Sequence, residues 1–200
     1  MTDEKTWVLQ AQQGSDEAFT QLVETYQKPV YNLCYRMLGE PELAEDAAQE
    51  TFLRAYQGLH RYDASRPFGT WILSIAAHYC IDNLRRKKFA MFSMDIETDD
   101  GATFELPDAS APDPETESVR KEQRDRLHLL LKKLDATDRA AVILRYWYDF
   151  SEVEIANSLN LTVSAVKSRL HRSRRALAGM WQEEPSPARP ERRAYETPAF

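Results

Sequence analysis

Apolar residues recur along this chain at spacings of three and four, and hardly anywhere in strict alternation. That is the helical period. After Ser15, which suits an N-cap, Asp16 and Glu17 favour a first turn, and Phe19, Leu22, Val23 and Tyr26 follow on one face. Pro29 marks a fresh start, carried on by Val30, Leu33, Cys34, Met37 and Leu38 until Gly39-Glu40-Pro41 breaks the pattern. Helices are expected again over 42–59 and 70–88, with a loop over 61–68 between them. Four helices of such lengths pack as one small bundle.

The pattern resumes with a charged helix over 119–134, whose apolar stripe is Leu127, Leu130, Leu131 and Leu134. Thr137 can cap the next helix, which runs to about Tyr148. Ser151 and Glu154 spell a capping box opening a short helix that ends near Leu159. Asn160-Leu161 is a tight turn, and Thr162 or Ser164 starts the last helix. A short helix, a tight turn and a longer basic helix outline a helix-turn-helix. Over 89–117 the periodicity is lost, with Gly101, Pro107, Pro112 and Pro114 as breakers, so this stretch reads as a linker. Pro185, Pro187, Pro190 and Pro198 make 183–200 read as a disordered tail. The expected fold is all-α. An N-terminal helical bundle (7–88) and a C-terminal helix-turn-helix domain (118–182) are joined by a flexible acidic linker.

The formal net charge of −6 argues against nucleic acid, but its distribution reverses that inference. Residues 89–119 hold nine acids and no Lys or Arg, while residues 120–200 hold sixteen bases against eleven acids. Lys167, Arg169, Arg172, Arg174 and Arg175 lie in a stretch without any acid. A polyanion meets such a local strip, not the global charge.

Three faces are candidates for chemistry. On the last helix Val163, Val166, Leu170 and Leu177 would pack inward, leaving Ser164, Lys167, Ser168, His171, Arg172 and Arg175 outward. Those side chains suit a major groove, where cations donate to guanine edges and phosphates. On the 70–88 helix Leu73, Ala76, Ala77, Cys80 and Leu84 form the inner stripe, and Trp71, Ser74, His78 and Arg85 share an outer face. Arg85 to Lys88 are all cations, close to a loop carrying Tyr62, Arg66 and Phe68, a mixture suited to stacking unpaired bases and gripping a backbone. On the 42–59 helix Ala48, Phe52, Ala55 and Leu59 read as inner, while Asp46, Gln49, Glu50 and Leu53 point outward together. An acidic face with an exposed leucine suits a protein partner, not DNA.

Read in order, several strings resemble one family. Residues 44–56, Arg61-Tyr62-Asp63, the run from Phe68 to Ala76, and Asp82-Asn83-Leu84-Arg85-Arg86 resemble region 2 of the sigma-70 class of RNA polymerase sigma factors. The run from Arg145 to Ser151, Glu154-Ile155-Ala156, and the run from Val166 to Arg172 resemble region 4. Two such regions on a short linker resemble the extracytoplasmic-function subfamily. The resemblance implies a factor that binds core polymerase, directs it to promoters through −35 and −10 elements, and promotes strand opening. By resemblance, Asp46, Gln49, Glu50 and Phe52, with Leu53 beside them, bind the β′ clamp, and the β subunit is contacted as well. Tyr62, Arg66 and Phe68 belong to a loop that captures a flipped −10 base, and Trp71, His78, Arg85 and Arg86 hold the melting point and its upstream duplex. Lys167, Ser168, His171 and Arg172, extended by Ser164 and Arg175, enter the −35 major groove. The resemblance also implies an anti-sigma partner. Gly69 departs from the pattern, standing where many relatives carry a basic residue.

Other classes fit less well. An autonomous helix-turn-helix regulator is the alternative, but it leaves the Asp46–Phe52 face unexplained. No Gly-rich phosphate loop, His-Glu-x-x-His or Gly-x-Ser-x-Gly string is present, so no enzyme, catalytic residue or cofactor is expected. Four scattered histidines and two distant cysteines give no metal spacing. The start of the chain lacks the basic flank and apolar stretch of a secretory signal, and no apolar run approaches the roughly 20 residues of a membrane span. A cytoplasmic protein with two buried thiols, not inserted in a membrane, is expected.

Overall fold

The computed structural model describes residues 3–94, 123 and 125–183. The expected linker beyond residue 94, the start of the helix expected from Val119, and the tail beyond residue 183 lie outside them. All regular elements among the described residues are helical: α1 (Asp3–Gln12), α2 (Asp16–Leu38), α3 (Pro41–Gly58), a 3-10 turn (Leu59–Arg61), α4 (Phe68–Met94), α5 (125–132), α6 (Ala136–Trp147), α7 (Glu152–Ser158) and α8 (Val163–Glu183).

Helix α2 is the spine of the N-terminal block, packed by α1, α3 and α4. It opens as expected, the Ser15 side chain accepting from the Ala18 amide. It does not restart at Pro29 but runs unbroken through it. An interior proline costs about 3 kcal/mol. Val30, Leu33, Met37 and Leu38 are all buried, at about 1.5–3 kcal/mol each, so packing outweighs the break. The helix ends where Gly39 turns left-handed (φ 82°), its amide donating to the Tyr35 carbonyl. Helix α1 begins ahead of the expected boundary at residue 7, and its Val8 and Ala11 are buried. On α3 the buried stripe is Ala44, Ala47, Thr51 and Ala55, so Ala48 and Phe52, expected innermost, sit half-buried on the flank. Small side chains let α3 approach α2 and α4 closely, and the Thr51 hydroxyl is satisfied by donating to the Ala47 carbonyl. Helix α4 continues six residues past the expected end at Lys88, since no Gly or Pro interrupts it. The Cys34 and Cys80 thiols meet in this core. Their hydrogen bond, then burial, raises the Cys80 thiol far above its ordinary pKa, which keeps it protonated and unreactive.

In the C-terminal block α6 starts at an Asp135 cap, not at Thr137: the Asp135 carboxylate accepts from the Thr137 amide, and Thr137 is buried at the second position of the helix. Helices α6 and α7 both pack on α8, and the block closes against α2 and α4. The junction centres on Arg139, which is 6% exposed. Its guanidinium donates to the Met37 carbonyl (2.5 Å), to Lys132 (2.6 Å) and to Leu134 (3.4 Å). Those oxygens lie at the C-terminal ends of α2 and α5, where carbonyls lack intrahelical partners and the helix dipole is negative. Around it Tyr148 donates to the Pro29 carbonyl (2.6 Å), Arg36 lies over the Trp147 ring, and Tyr35 packs on His128.

His128 carries a testable charge state. Burial first, then Lys132, Arg139 and Arg36, push its imidazole down to about 4. The unfolded chain takes up that proton near the ordinary histidine value, about 6.5. Between about pH 6.5 and 4 the unfolded state therefore binds more protons, and stability falls as pH falls. Thermal unfolding at pH 7 and pH 5 is expected to show a smaller acid-induced loss in His128→Gln than in the wild type.

Candidate nucleic-acid interface

The turn before α8 is built locally. The Ser151 hydroxyl accepts from the Glu154 amide (3.2 Å), while the Glu154 carboxylate accepts from the Ser151 amide (2.8 Å). That carboxylate is held below its ordinary pKa by the Ser151 side chain and then the Ser151 backbone. Asn160 supplies the left-handed residue (φ 54°) that most side chains resist. The Leu161 amide then donates to the Ala156 carbonyl, and Thr162 caps α8 by accepting from the Ala165 amide (3.1 Å). On α8 Val166, Leu170 and Ser173 are buried and Leu177 half-buried. Val163, expected inward, is exposed, because the seven-residue α7 leaves the first turn of α8 uncovered.

Ser164, Lys167, Ser168, His171, Arg172 and Arg175 are all exposed on α8. Two cations of the basic strip have partners that sequence reading missed. The Lys167 ammonium lies 3.6 Å from the Glu152 carboxylate, an exposed and weak pair. Arg169 turns inward and bonds Asp138 of α6 at 2.5 Å, with both side chains less than a third exposed. Arg169 thus fixes α8 to the block, and its neighbours supply the outward charge. An arginine facing inward from a basic helix, opposite a helix-start aspartate, was the only available signal.

At the other candidate face, Tyr62 (7% exposed) and Phe68 (1%) are core residues, which corrects their expected place among surface side chains. Tyr26, Tyr62, Phe68 and Trp71 form one aromatic cluster, with Tyr62 and Trp71 centroids 4.5 Å apart. The Tyr62 hydroxyl donates to the Arg66 carbonyl, and burial, then Glu4 and Asp63, push its pKa up to about 12. The loop therefore presents its tip: Asp63, Ser65, Arg66 and Pro67 are exposed, shaped by Asp63 accepting from the Ser65 amide and lying 3.6 Å from Arg66. Trp71 and His78 are half-buried on α4 and Arg86 is exposed. Arg85 is exposed yet donates to Thr137 of α6 (3.2 Å), and Lys87 pairs with Glu40.

On α3 Asp46, Gln49 and Leu53 are exposed, Glu50 pairs with Arg54 at 2.7 Å, and Phe52 is half-buried against the core. Tyr56, one turn beyond Leu53, adds a second exposed apolar residue that sequence reading passed over. Its ring edge meets Phe19 and its hydroxyl donates to Asp16. The candidate residues thus lie on three separate surfaces, not in one cleft. Among the described residues no group of His, Cys, Asp or Glu could hold a metal ion, and no helix is long and apolar enough to cross a membrane.

The pattern described as Sigma-70 region 2 matches residues 22–90, and that described as Sigma-70, region 4 matches residues 124–177. The chain is 36% identical to the ECF RNA polymerase sigma factor SigW of Bacillus subtilis, over 86% of this chain and 94% of that one. It is 30% identical to the RNA polymerase sigma-H factor of Pseudomonas aeruginosa, over 85% of this chain and 89% of that one. Among solved structures it resembles CnrH in complex with the cytosolic domain of CnrY, with a TM-score of 0.66 at 25% identity, covering 92% of this chain and all of that one.

The inward ion pair of α8 yields a prediction. Asp138→Ala leaves the Arg169 guanidinium partly buried without its carboxylate, an expected loss on the order of 1–3 kcal/mol. Chemical denaturation should register it, and Asp138→Glu should restore part of it.

Proposed function

The chain belongs to the sigma-70 family of RNA polymerase sigma factors, in its extracytoplasmic-function branch, and we propose that three surfaces divide its work. It binds core RNA polymerase, directs the enzyme to specific promoters through −35 and −10 elements, and promotes strand opening at initiation. Its domains are 7–88 and 118–182, with α1 added to the first, and it acts in the cytoplasm by binding, with no catalytic step of its own. The outward face of α3 (Asp46, Gln49, Glu50, Leu53, and Phe52 at its edge) docks on the β′ clamp. The exposed side of α8 (Ser164, Lys167, Ser168, His171, Arg172, Arg175) enters the −35 major groove. The tip around Arg66, with Trp71, His78, Arg85 and Arg86 of α4, receives the −10 element. Tyr62 and Phe68 serve that surface as anchors of the loop. CnrH is solved with the cytosolic domain of CnrY; a comparable anti-sigma partner masks this chain.

The observation that carries the −35 reading is the outward cationic row on α8, supported by a capped α7 and pinned by Arg169 to Asp138. Geometry adds a requirement. Two elements centred about 25 base pairs apart span roughly 85 Å of B-DNA at about 3.4 Å per pair. A compact chain of this size is only roughly 35–40 Å across. The closed arrangement around Arg139 must therefore open before both elements are read at once, which also releases Arg85 from Thr137.

With core polymerase and promoter fragments, Lys167→Ala and Arg172→Ala are each expected to weaken −35 recognition about tenfold or more, with core affinity intact. Asp46→Arg should instead abolish core association while the C-terminal block stays folded. Loss of core binding in the α8 variants, measured by fluorescence anisotropy, would sink this division.

A further inference from the structure

Helix α1 lies before residue 22, where the match to region 2 begins, yet it holds both ends of the 62–67 loop. The Gln12 side-chain amide donates to the Leu59 carbonyl (2.9 Å) and to the Tyr62 carbonyl (2.8 Å). These oxygens flank the 3-10 turn at the entrance to the loop. From there the restraint continues through Tyr62, whose hydroxyl reaches the Arg66 carbonyl at the far side of the tip. A second tie reaches the loop's exit. Glu4 of α1 accepts from the Tyr26 hydroxyl (2.6 Å), and the Tyr26 ring lies against Phe68 (5.4 Å). A Cβ at Gly69 would sit 3.0 Å from that ring and 3.1 Å from its oxygen, so the glycine keeps Tyr26 in place.

We infer that α1 belongs to the −10 reading apparatus, with Gln12 a positioning residue that sets the 62–67 loop for base capture. The inference rests on the assignment of that loop to the −10 element. Val8 and Ala11 already anchor α1 to the bundle through apolar contact, so the Gln12 amide is not needed for docking the helix. Its two donors go to a segment whose tip stays exposed. A loop held at both ends loses less conformational freedom when it closes on a flipped base, and a small displacement of its tip costs capture disproportionately.

The test uses the full chain with core polymerase and a promoter carrying 2-aminopurine at the captured base of the −10 element. Gln12→Met removes both donors at similar length, and Gln12→Glu puts an acceptor oxygen against two carbonyls. Both are expected to slow the fluorescence rise of strand opening about tenfold, equivalent to about 1.4 kcal/mol. Discrimination between the preferred and a substituted −10 base should fall in parallel, with core affinity and binding to a −35-only duplex within about twofold of wild type. Hydrogen exchange over 59–68 should quicken in both variants. Arg66→Ala, with a second variant replacing the whole tip, reports on the loop itself. If the tip variants alter −10 preference and the Gln12 variants do not, the role of α1 is overturned while the loop assignment stands. If neither alters it, the loop assignment falls and takes this inference with it. An equal loss of core, −35 and −10 binding in the Gln12 variants would reduce Gln12 to a folding role and overturn the proposal.

Discussion

A buried guanidinium holds the two halves of this molecule together. Arg139 is served by main-chain carbonyls at the ends of α2 and α5, not by a paired carboxylate. Burial lowers its pKa, an effect opposed by the nearby Asp135. A charge in that position is tolerated only if its donors are well used, because an isolated buried ion is very costly. Two helix ends with unsatisfied oxygens offer that compensation to the two terminal nitrogens, while the buried Nε has no hydrogen-bond partner among the described residues. The arrangement is therefore specific: it fixes where the C-terminal block sits on the N-terminal one, in a way that apolar contact alone would leave loose.

The same logic recurs on a smaller scale. Each proposed partner surface has a polar tie behind it or beside it. Arg169 faces Asp138 behind the exposed row of α8, and Gln12 faces the carbonyls behind the loop. Glu50 and Arg54 pair beside the exposed apolar spot on α3. On α8 Arg169 is used for position, while Arg172 and Arg175 stay outward. This is why the basic strip cannot be read as a uniform set of DNA contacts.

What could be read from the sequence was what is decided locally. Ser15, the Ser151–Glu154 box and the outward row on α8 follow from neighbours within one or two turns, and the structure places each as expected. Features decided by distant contacts were not legible. Tyr62 and Phe68 look alike in sequence whether they stack on a base or on Trp71, and only their burial separates the two. Pro29 reads as a stop because the stripe that overrides it is completed by other helices. On α3 Ala55 and Leu59 are buried as expected, but the start of the stripe lies one position earlier, at Ala47 and Thr51, because alanines border both sides of it and Ala47 and Ala48 are indistinguishable until α2 and α4 are present. The role of α1 was invisible for the same reason, since its amide reaches carbonyls 47 and 50 residues away.

The junction also acts as a threshold. If only the open form reads a promoter at both elements, apparent affinity is reduced by the fraction of molecules that are open, and each ~1.4 kcal/mol favouring closure removes about a further tenfold. Promoter occupancy then depends on how much of the opening free energy core polymerase supplies on docking. On that condition a factor resting closed would stay silent on DNA it meets alone and become a reader only inside the complex. In such a scheme selectivity would be partly a matter of timing, set by one cation lodged between two helix ends.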